Sequence, residues 1–396
     1  MPPLHDPTVP HSPGAPVAGA VTVAPLSGMP EVRVGDDLVA LLLDAVAGAG
    51  LSLEHGDCLV VSSKVVSKAL GLVSDRRRAA VVEAATRRVV AERRGPGGVT
   101  RVVESAAGPV MAAGGVDASN TGPAGAVLLL PEDPDAEAAR LRSGLLAAGL
   151  GGSAALGVVL SDTAGRPWRA GQTDFALGAA GLAPLEDLRG GVDADGRPLV
   201  VTARALADEV AAAADLVKGK ADGVPAALVR GLPRRWFAAD ADGARTLVRT
   251  GPGDWFALGH AEAVRAALGV APGTTAAEET GIASTAPEPL GDLVARVVAL
   301  ALVEVPDGSA DVEVHSSVGG PGTSDGGDTG GGGRSHGGGT GGAASPGWAE
   351  VVLDAPDPYE LGRLVERVRV AATSESLRAE ESGRAPASTT IRLHPA

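Results

Sequence analysis

Lysine, asparagine, glutamine, cysteine and aromatic side chains are all scarce in this chain of 396 residues, and each scarcity narrows what the chain can be. Lysine occurs four times, at Lys64, Lys68, Lys218 and Lys220, against thirty arginines. Asn120 and Gln172 are the sole residues of their kinds. A chain that has exchanged these types wherever exchange is harmless keeps them where the substitute fails. Lysine and arginine differ most where a compact point charge meets a phosphate or carboxylate oxygen. An amide matters where one side chain must both donate and accept in fixed directions. Cys58 stands alone, which excludes a disulfide framework and a Cys-based zinc site and fits a reducing, cytoplasmic setting. Aromatics at 2% leave Val, Leu and Ala to build the core. A net charge of −14 and a pI near 5.0 speak against a general nucleic-acid or anionic-membrane binder, so any phosphate binding is local. No run of about 18 uncharged apolar residues is present to span a membrane. Residues 1–27 are rich in Pro and small side chains and lack a basic segment followed by an apolar one, which predicts a disordered N-terminal extension and no signal peptide.

What is present is a mixed α and β texture from Glu31 to Leu232. Asp36 predicts an N-cap for an amphipathic helix carrying Leu38, Leu41, Leu42 and Val46. Cys58 to Ser62 reads as a buried strand, and 75–94 as a helix with a basic, solvated face. Val99 to Glu104 and Val110 to Ala113 read as strands joined through Gly108 and Pro109. Two short strands, near Val127 and Leu156, flank a helix from about Asp135. A further helix with Leu206, Val210 and Leu216 precedes Lys218, and Ala226 to Val229 is a strand. Residues 233–286 read as a linker region. Residues 287–396 read as a small α+β domain of unassigned role, interrupted by a Gly-rich loop at 319–347.

Four segments carry chemistry. In Ser62-Ser63-Lys64-Val65-Val66-Ser67-Lys68, a helical turn after the strand puts Lys64 and Lys68 on one face, a setting suited to an anion. In 114–120, Asp117 suits a hard cation and Asn120 a base or sugar edge. In 161–174, read as a loop beyond a strand ending at Leu160, Asp162 and Thr163 suit Mg²⁺ or Mn²⁺. Arg166 and Arg169 there suit bidentate carboxylate or phosphate recognition. In 214–225, Lys218, Gly219 and Lys220 end a helix where backbone amides can approach a ligand. No Walker A motif occurs, and none of the seven histidines falls in these segments, which disfavours zinc chemistry and a Ser-His-Asp hydrolase. Carboxylates, hydroxyls, lysines and arginines without histidine fit nucleotide-dependent phosphoryl or acyl-phosphate chemistry.

Taken in order, GMPEV, VVSSKVVSK, TRVVES, GGVDASN, LLLPEDPD, SDTAGRPWRAGQTD, RGGVDADGRPLVVT, ADEVAAAADLVKGKADGVP and VRGL make 28–232 resemble the coenzyme F420:L-glutamate ligase family. The resemblance implies an α+β ligase domain with a fold of its own, as an intertwined homodimer; the small C-terminal α+β extension lies beyond it. It implies GTP-dependent addition of L-glutamate to the lactyl-phosphate carboxyl of coenzyme F420-0 through an acyl phosphate, then γ-linked extension. Carried over by motif, Met29, Pro30, Glu31 and Val32 line the guanine-nucleotide pocket, and Ser63, Lys68 and Asn120 touch GTP. Lys218, Gly219 and Lys220 close over phosphates. Asp117, Asp162 and Thr163, with Glu209 as a further candidate, hold Mg²⁺ or Mn²⁺, and potassium is an additional candidate cation. Lys68, Arg166 and Arg169 are the catalytic candidates. The chain differs from the family's usual pattern at Leu70 and Leu72, where an acid and then a base are expected. Trp255 to Arg265 is similar to the link into the flavin-binding domain of mycobacterial relatives, but the arginine-rich flavin-phosphate motif does not follow. The tail is therefore expected not to bind flavin. A bifunctional ligase and flavin reductase, or a non-catalytic nucleotide-binding protein on the same scaffold, are the competing readings.

Overall fold

A computed structural model of the chain describes residues 19–119, 126–150, 155–305, 307–315 and 347–396. The chain divides into two compact units, one of 1–88 with 103–254 and one of 89–102 with 255–396.

The first unit is built on the buried strand that the apolar run CLVVS predicts. In chain order its elements are β1 (Thr22–Leu26), α1 (Leu38–Gly48), β2 (Asp57–Ser62), α2 (Ser63–Ala69), β3 (Val73–Ser74) and α3 (Arg78–Ala84). Then come β4 (Thr86–Gly95) and β5 (Gly98–Ser105), whose distal residues fall in the second unit, followed by β6 (Val110–Ala112) and β7 (Val127–Leu128). The rest are α4 (Pro134–Leu145), β8 (Leu156–Arg166), β9 (Arg169–Ala180), β10 (Glu186–Asp187), β11 (Ala203–Arg204), α5 (Leu206–Lys218) and β12 (Ala226–Arg230). The main sheet runs β1-β12-β2-β8-β9, with β2 and β8 parallel and the other pairs antiparallel. Because strand side chains alternate, β2 sends Leu59 and Val61 to one face and Cys58 and Val60 to the other. The first face is covered by α1 and α4 through Leu38, Leu42, Leu141 and Leu145. The second is covered by α5 through Ala207, Val210, Ala211 and Ala214. Both faces of β2 are thus dry, and its side chains are buried throughout except at Ser62, where the strand gives way to α2.

Local chemistry sets the helix ends. The α1 N-cap is Asp37, which accepts from the N–H groups of Val39 and Ala40, while the expected cap, Asp36, instead accepts from Arg33 N–H at 2.8 Å. Asp133 caps α4, with Pro134 in its first turn. The contact between α4 and β9 requires a glycine, since a Cβ at Gly178 would run into the Pro134 carbonyl. Asp135 ties the unit together by accepting from Ala179 N–H at 2.8 Å and Ala244 N–H at 2.7 Å.

Four expectations need correction. Residues 19–26 are not part of a disordered extension, because Thr22–Leu26 pair with β12 as an edge strand, the position where Pro25 is tolerated. The basic helix over 75–94 is only one α3 of seven residues, after which Thr86–Gly95 is a strand, as its β-branched Val89 and Val90 favour. Segment 161–174 is not a loop: β8 continues to Arg166 and folds back as β9, with Trp168 at φ 59° in the turn. The 233–286 stretch is not an open linker. Up to Asp254 it packs in the first unit, with Ala244 in the core beside α5 and Trp236, Phe237 and Leu247 packed against that core.

The second unit comprises residues 89–102, α6 (His260–Ala267), α7 (Thr275–Thr280), α8 (Leu290–Leu302), β13 (Ser309–His315), β14 (Trp348–Asp354), α9 (Pro358–Ser374), β15 (Leu377–Arg384) and β16 (Ser388–Pro395). Its antiparallel sheet, β13-β14-β16-β15, turns Ala349, Val351, Leu353, Ile391 and Leu393 into a core with α8 and α9. Strand β15 is absent from the sequence reading, being polar and largely exposed. Most of the Gly-rich loop expected at 319–347 lies outside the described residues. Among the described residues no helix is long and apolar enough to cross a membrane.

Candidate functional site

The four chemical segments come together at the end of the main sheet of the first unit. Three of them line an open cleft of about 490 Å³, and the fourth, 114–120, meets it through the Asp117–Lys64 pair. Met29, Pro30, Glu31 and Val32 form one side, Lys64 and Lys68 of α2 another, and Ser161, Asp162 and Thr163 of β8 the floor with Asp174 of β9. Asp215, Lys218, Gly219 and Lys220 close it from the end of α5.

Each lysine arrives with an acid. The β2–α2 junction buries Ser63, Val65, Val66 and Ser67 inward, so Lys64 and Lys68, one turn apart, face the cleft. Ser63 is only 1% exposed and does not line it, contrary to the expected nucleotide contact; Ser62 occupies that edge instead. Lys64 Nζ pairs with Asp117 at 2.7 Å and donates to Ser119 Oγ at 2.7 Å. Lys68 pairs with Glu31. Lys218 is buried, donating to Ser161 Oγ at 2.6 Å and to Asp174 at 2.5 Å. Asp174 accepts in turn from Thr163 Oγ1 at 2.7 Å, and Lys220 Nζ reaches the same hydroxyl at 3.2 Å. The helix ends there because Gly219 adopts φ 62°, ψ 174°, a backbone state open only to glycine.

The carboxylates are not equivalent. Burial pushes Asp117 up, but Lys64 and the N–H and hydroxyl of Ser119 outweigh it and hold the group below the ordinary range. Asp174 behaves alike, with Lys218, Thr163 and Ser161 outweighing its burial. Asp162 is different. It is half-buried and has no ion pair among the described residues, and its carboxyl is pushed up to about 6. Burial is the main cause; the charges of Asp174 and Asp117 add to it, and the Thr163 N–H and Lys64 oppose it. Asp215 is raised by burial and by Asp174.

Among the described residues no cluster of three or more His, Cys, Asp or Glu is arranged to hold a metal. Asp117, Asp162 and Thr163 nonetheless offer an oxygen-only set, as a hard divalent cation prefers. The raised carboxyl of Asp162 is the group such a cation would relieve. Glu209 does not join them: it pairs with Arg204 at 2.6 Å and lines a second cavity of about 660 Å³. Arg166 lines that second cavity too, and Arg169, its register partner, is exposed at the hairpin tip. Neither arginine lines the first cleft. Asn120 lies outside the described residues. Sequence reasoning passed over Ser161, Asp174 and Asp215; the i, i+3 spacing of Asp215 and Lys218 on one helix was the available signal for the last.

A family model described as F420-0:Gamma-glutamyl ligase matches residues 28–231. A coenzyme F420:L-glutamate ligase of Natronomonas pharaonis is 39% identical over 246 residues, covering 57% of this chain and 90% of the relative. Proteins of the same name from Halobacterium salinarum and Halorubrum lacusprofundi are each 38% identical, over 252 and 250 residues. These alignments cover 58% of this chain in both cases, and 93% and 92% of the relatives.

Proposed function

The chain belongs to the F420-0:gamma-glutamyl ligase family, and on that footing we propose that its first unit is a GTP-dependent ligase joining L-glutamate to the lactyl-phosphate carboxyl of coenzyme F420-0. The observation that carries this reading is the convergence of all four lysines of the chain on one cleft beside four aspartates. Such a site suits phosphoryl transfer from a triphosphate to a carboxylate, which needs cations around the transferring group and no histidine base.

In the reaction, the acceptor carboxylate oxygen attacks the γ-phosphorus of GTP, GDP leaves, and an acyl phosphate forms. The amine of glutamate attacks the acyl carbon, phosphate departs, the amine loses its proton, and an amide results; γ-linked additions repeat the cycle. Lys64, Lys68 and Lys220 hold phosphate oxygens, Lys64 and Lys68 by leaving Asp117 and Glu31. Lys218 is kept in place by Asp174 and Ser161. Gly219 lets the backbone approach the phosphates closely. Asp117, Asp162 and Thr163 would hold Mg²⁺ or Mn²⁺, which would supply neutralising charge to the phosphate oxygens. The homodimer of the family belongs to the same proposal.

The test is mass spectrometry of F420-0 incubated with the full-length protein, GTP, Mn²⁺ and L-glutamate. A product heavier by one or more glutamyl residues, with matching GDP, is expected. GTP hydrolysis without a glutamylated product overturns the reading.

A further inference from the structure

We propose that the second cavity of the first unit seats the acceptor: an amphiphilic acid whose apolar body packs inside, whose phosphate meets Arg166 and Arg249, and whose carboxylate reaches the nucleotide cleft past Asp174. This rests on the ligase reading above and adds where the acceptor binds.

Asp174 lines both cavities, so the β8–β9 hairpin is a shared wall. A phosphoryl group leaving the nucleotide has to meet a carboxylate within bonding reach, which requires adjoining sites. The second cavity, at about 660 Å³, is the larger of the two and falls within the range of small-molecule sites. Its walls are apolar where the cleft's are charged: Met111, Phe175, Leu247 and Val248 face it. Such walls offer the polar edges of a guanine base little to bond with, and suit the body of a cofactor precursor.

Charge points the same way. Of the carboxylates that face this space, Asp174 is neutralised by Lys218 and Glu209 by Arg204, while Asp208 accepts from the Ala176 N–H at 2.9 Å and keeps its charge. Arg166 and Arg249 have no ion pair among the described residues. Two such guanidiniums against the one unpaired carboxylate of Asp208 leave the cavity net positive, and a guanidinium pair suits a phosphate's oxygens. Arg166, placed at the hairpin by the same strand that carries Asp162 and Thr163, thereby acquires a role away from the transferring phosphoryl group.

Two variants of the full-length protein test this. Ala212→Phe fills the cavity from α5, and Arg249→Glu reverses an exposed charge that the fold does not use. Calorimetric titration with F420-0 alone, and steady-state kinetics with GTP, glutamate and F420-0, are the readouts. The expected result is at least tenfold weaker binding and at least tenfold higher KM for F420-0 in both variants. KM for GTP should stay within twofold, and Arg249→Lys should recover most of the loss. Wild-type affinity for F420-0 in both variants, a parallel rise in KM for GTP, or no binding of F420-0 to the wild type each overturns the assignment. If the wild type binds F420-0 but makes no glutamyl product, the ligase reading falls, and the titration of the variants still decides the cavity. If product forms in both variants with unchanged KM for F420-0, the ligase reading stands and the cavity assignment falls.

Discussion

Asp162 is a residue kept at the expense of the fold. Its carboxyl titrates near 6 in the folded chain and near the ordinary 3.8 when unfolded, chiefly because it is buried. The folded state therefore holds the extra proton between those values, and the ionised form destabilises fully above about pH 6 and not at all below about pH 3.8. That penalty is on the order of 2–3 kcal/mol at neutral pH. Asp162→Asn should accordingly raise the melting temperature by several degrees at pH 7.5 in the presence of a chelator, with the gain fading towards pH 4, while ligation is lost. A variant that melts like the wild type at pH 7.5 contradicts the burial account. The Lys218–Asp174 pair is the opposite case, since both side chains are 5% exposed and each satisfies the other. Lys218→Met should lower stability by about 3–5 kcal/mol by stranding the aspartate. Adding Asp174→Asn to it should restore much of that stability in chemical denaturation without restoring GTP turnover.

Elements were legible where burial on both faces or a helical stripe wrote a pattern into the chain. The apolar CLVVS run gave β2, and the lysine spacing behind it gave α2 and its cleft-facing side. Lysine scarcity located the cleft, because arginine had taken every position where a broad planar cation serves. What escaped the sequence was set by pairing with distant residues. Thr22–Leu26 is a strand because β12 lies beside it, and 161–174 is a hairpin because β9 returns along β8. Asp174 therefore comes opposite Thr163, eleven positions earlier, at a place no local spacing reveals. Arg166 and Arg169 were read as cleft residues for want of that hairpin, which carries them to its far end. Close packing of one element on another is equally silent in the sequence. Gly178 looks like any strand glycine, yet α4 presses its Pro134 carbonyl where a Cβ would go. Gly178→Ala should push α4 off β9 and lose about 3 kcal/mol or more, whereas Gly165→Ala, with open space around it, should lose under about 1 kcal/mol. Equal urea midpoints for the two variants would refute the close approach.

At the scale of the molecule, the division into units is not a division of the chain into two lengths. A chain ending at Gly231 keeps every cleft residue but strips away Leu232, Trp236, Phe237, Ala244 and Leu247 from the α5 face of the sheet. It also frees Asp135 from Ala244. It should be insoluble or molten, with weak near-ultraviolet circular dichroism. A chain ending at Asp254 keeps that layer, yet carries 89–102 without the residues that bury it, among them Glu262, which accepts from Glu92 N–H at 3.0 Å. Replacing 89–102 by a short Asn-Gly turn in that chain should give a soluble, cooperative unit that still binds GTP. Failure of this shortened form to fold, with the unshortened one folding well, would show that 89–102 belongs with the first unit.

The same excursion of the chain sets an order of events in time. Residues 89–102 leave the ribosome long before their partners from Trp255 onward, with the 152 residues from Val103 to Asp254 made in between. At roughly 5–20 residues per second, Val90 and its neighbours spend on the order of ten to thirty seconds as an unclaimed β-hairpin edge. Five arginines, Arg87, Arg88, Arg93, Arg94 and Arg101, lie on and around that hairpin, and their mutual repulsion hinders the pairing of one nascent copy with another. Charges that end in ion pairs, Arg93 with Glu262 and Arg101 with Glu278, thus stand without those partners during synthesis, when they would act as a guard.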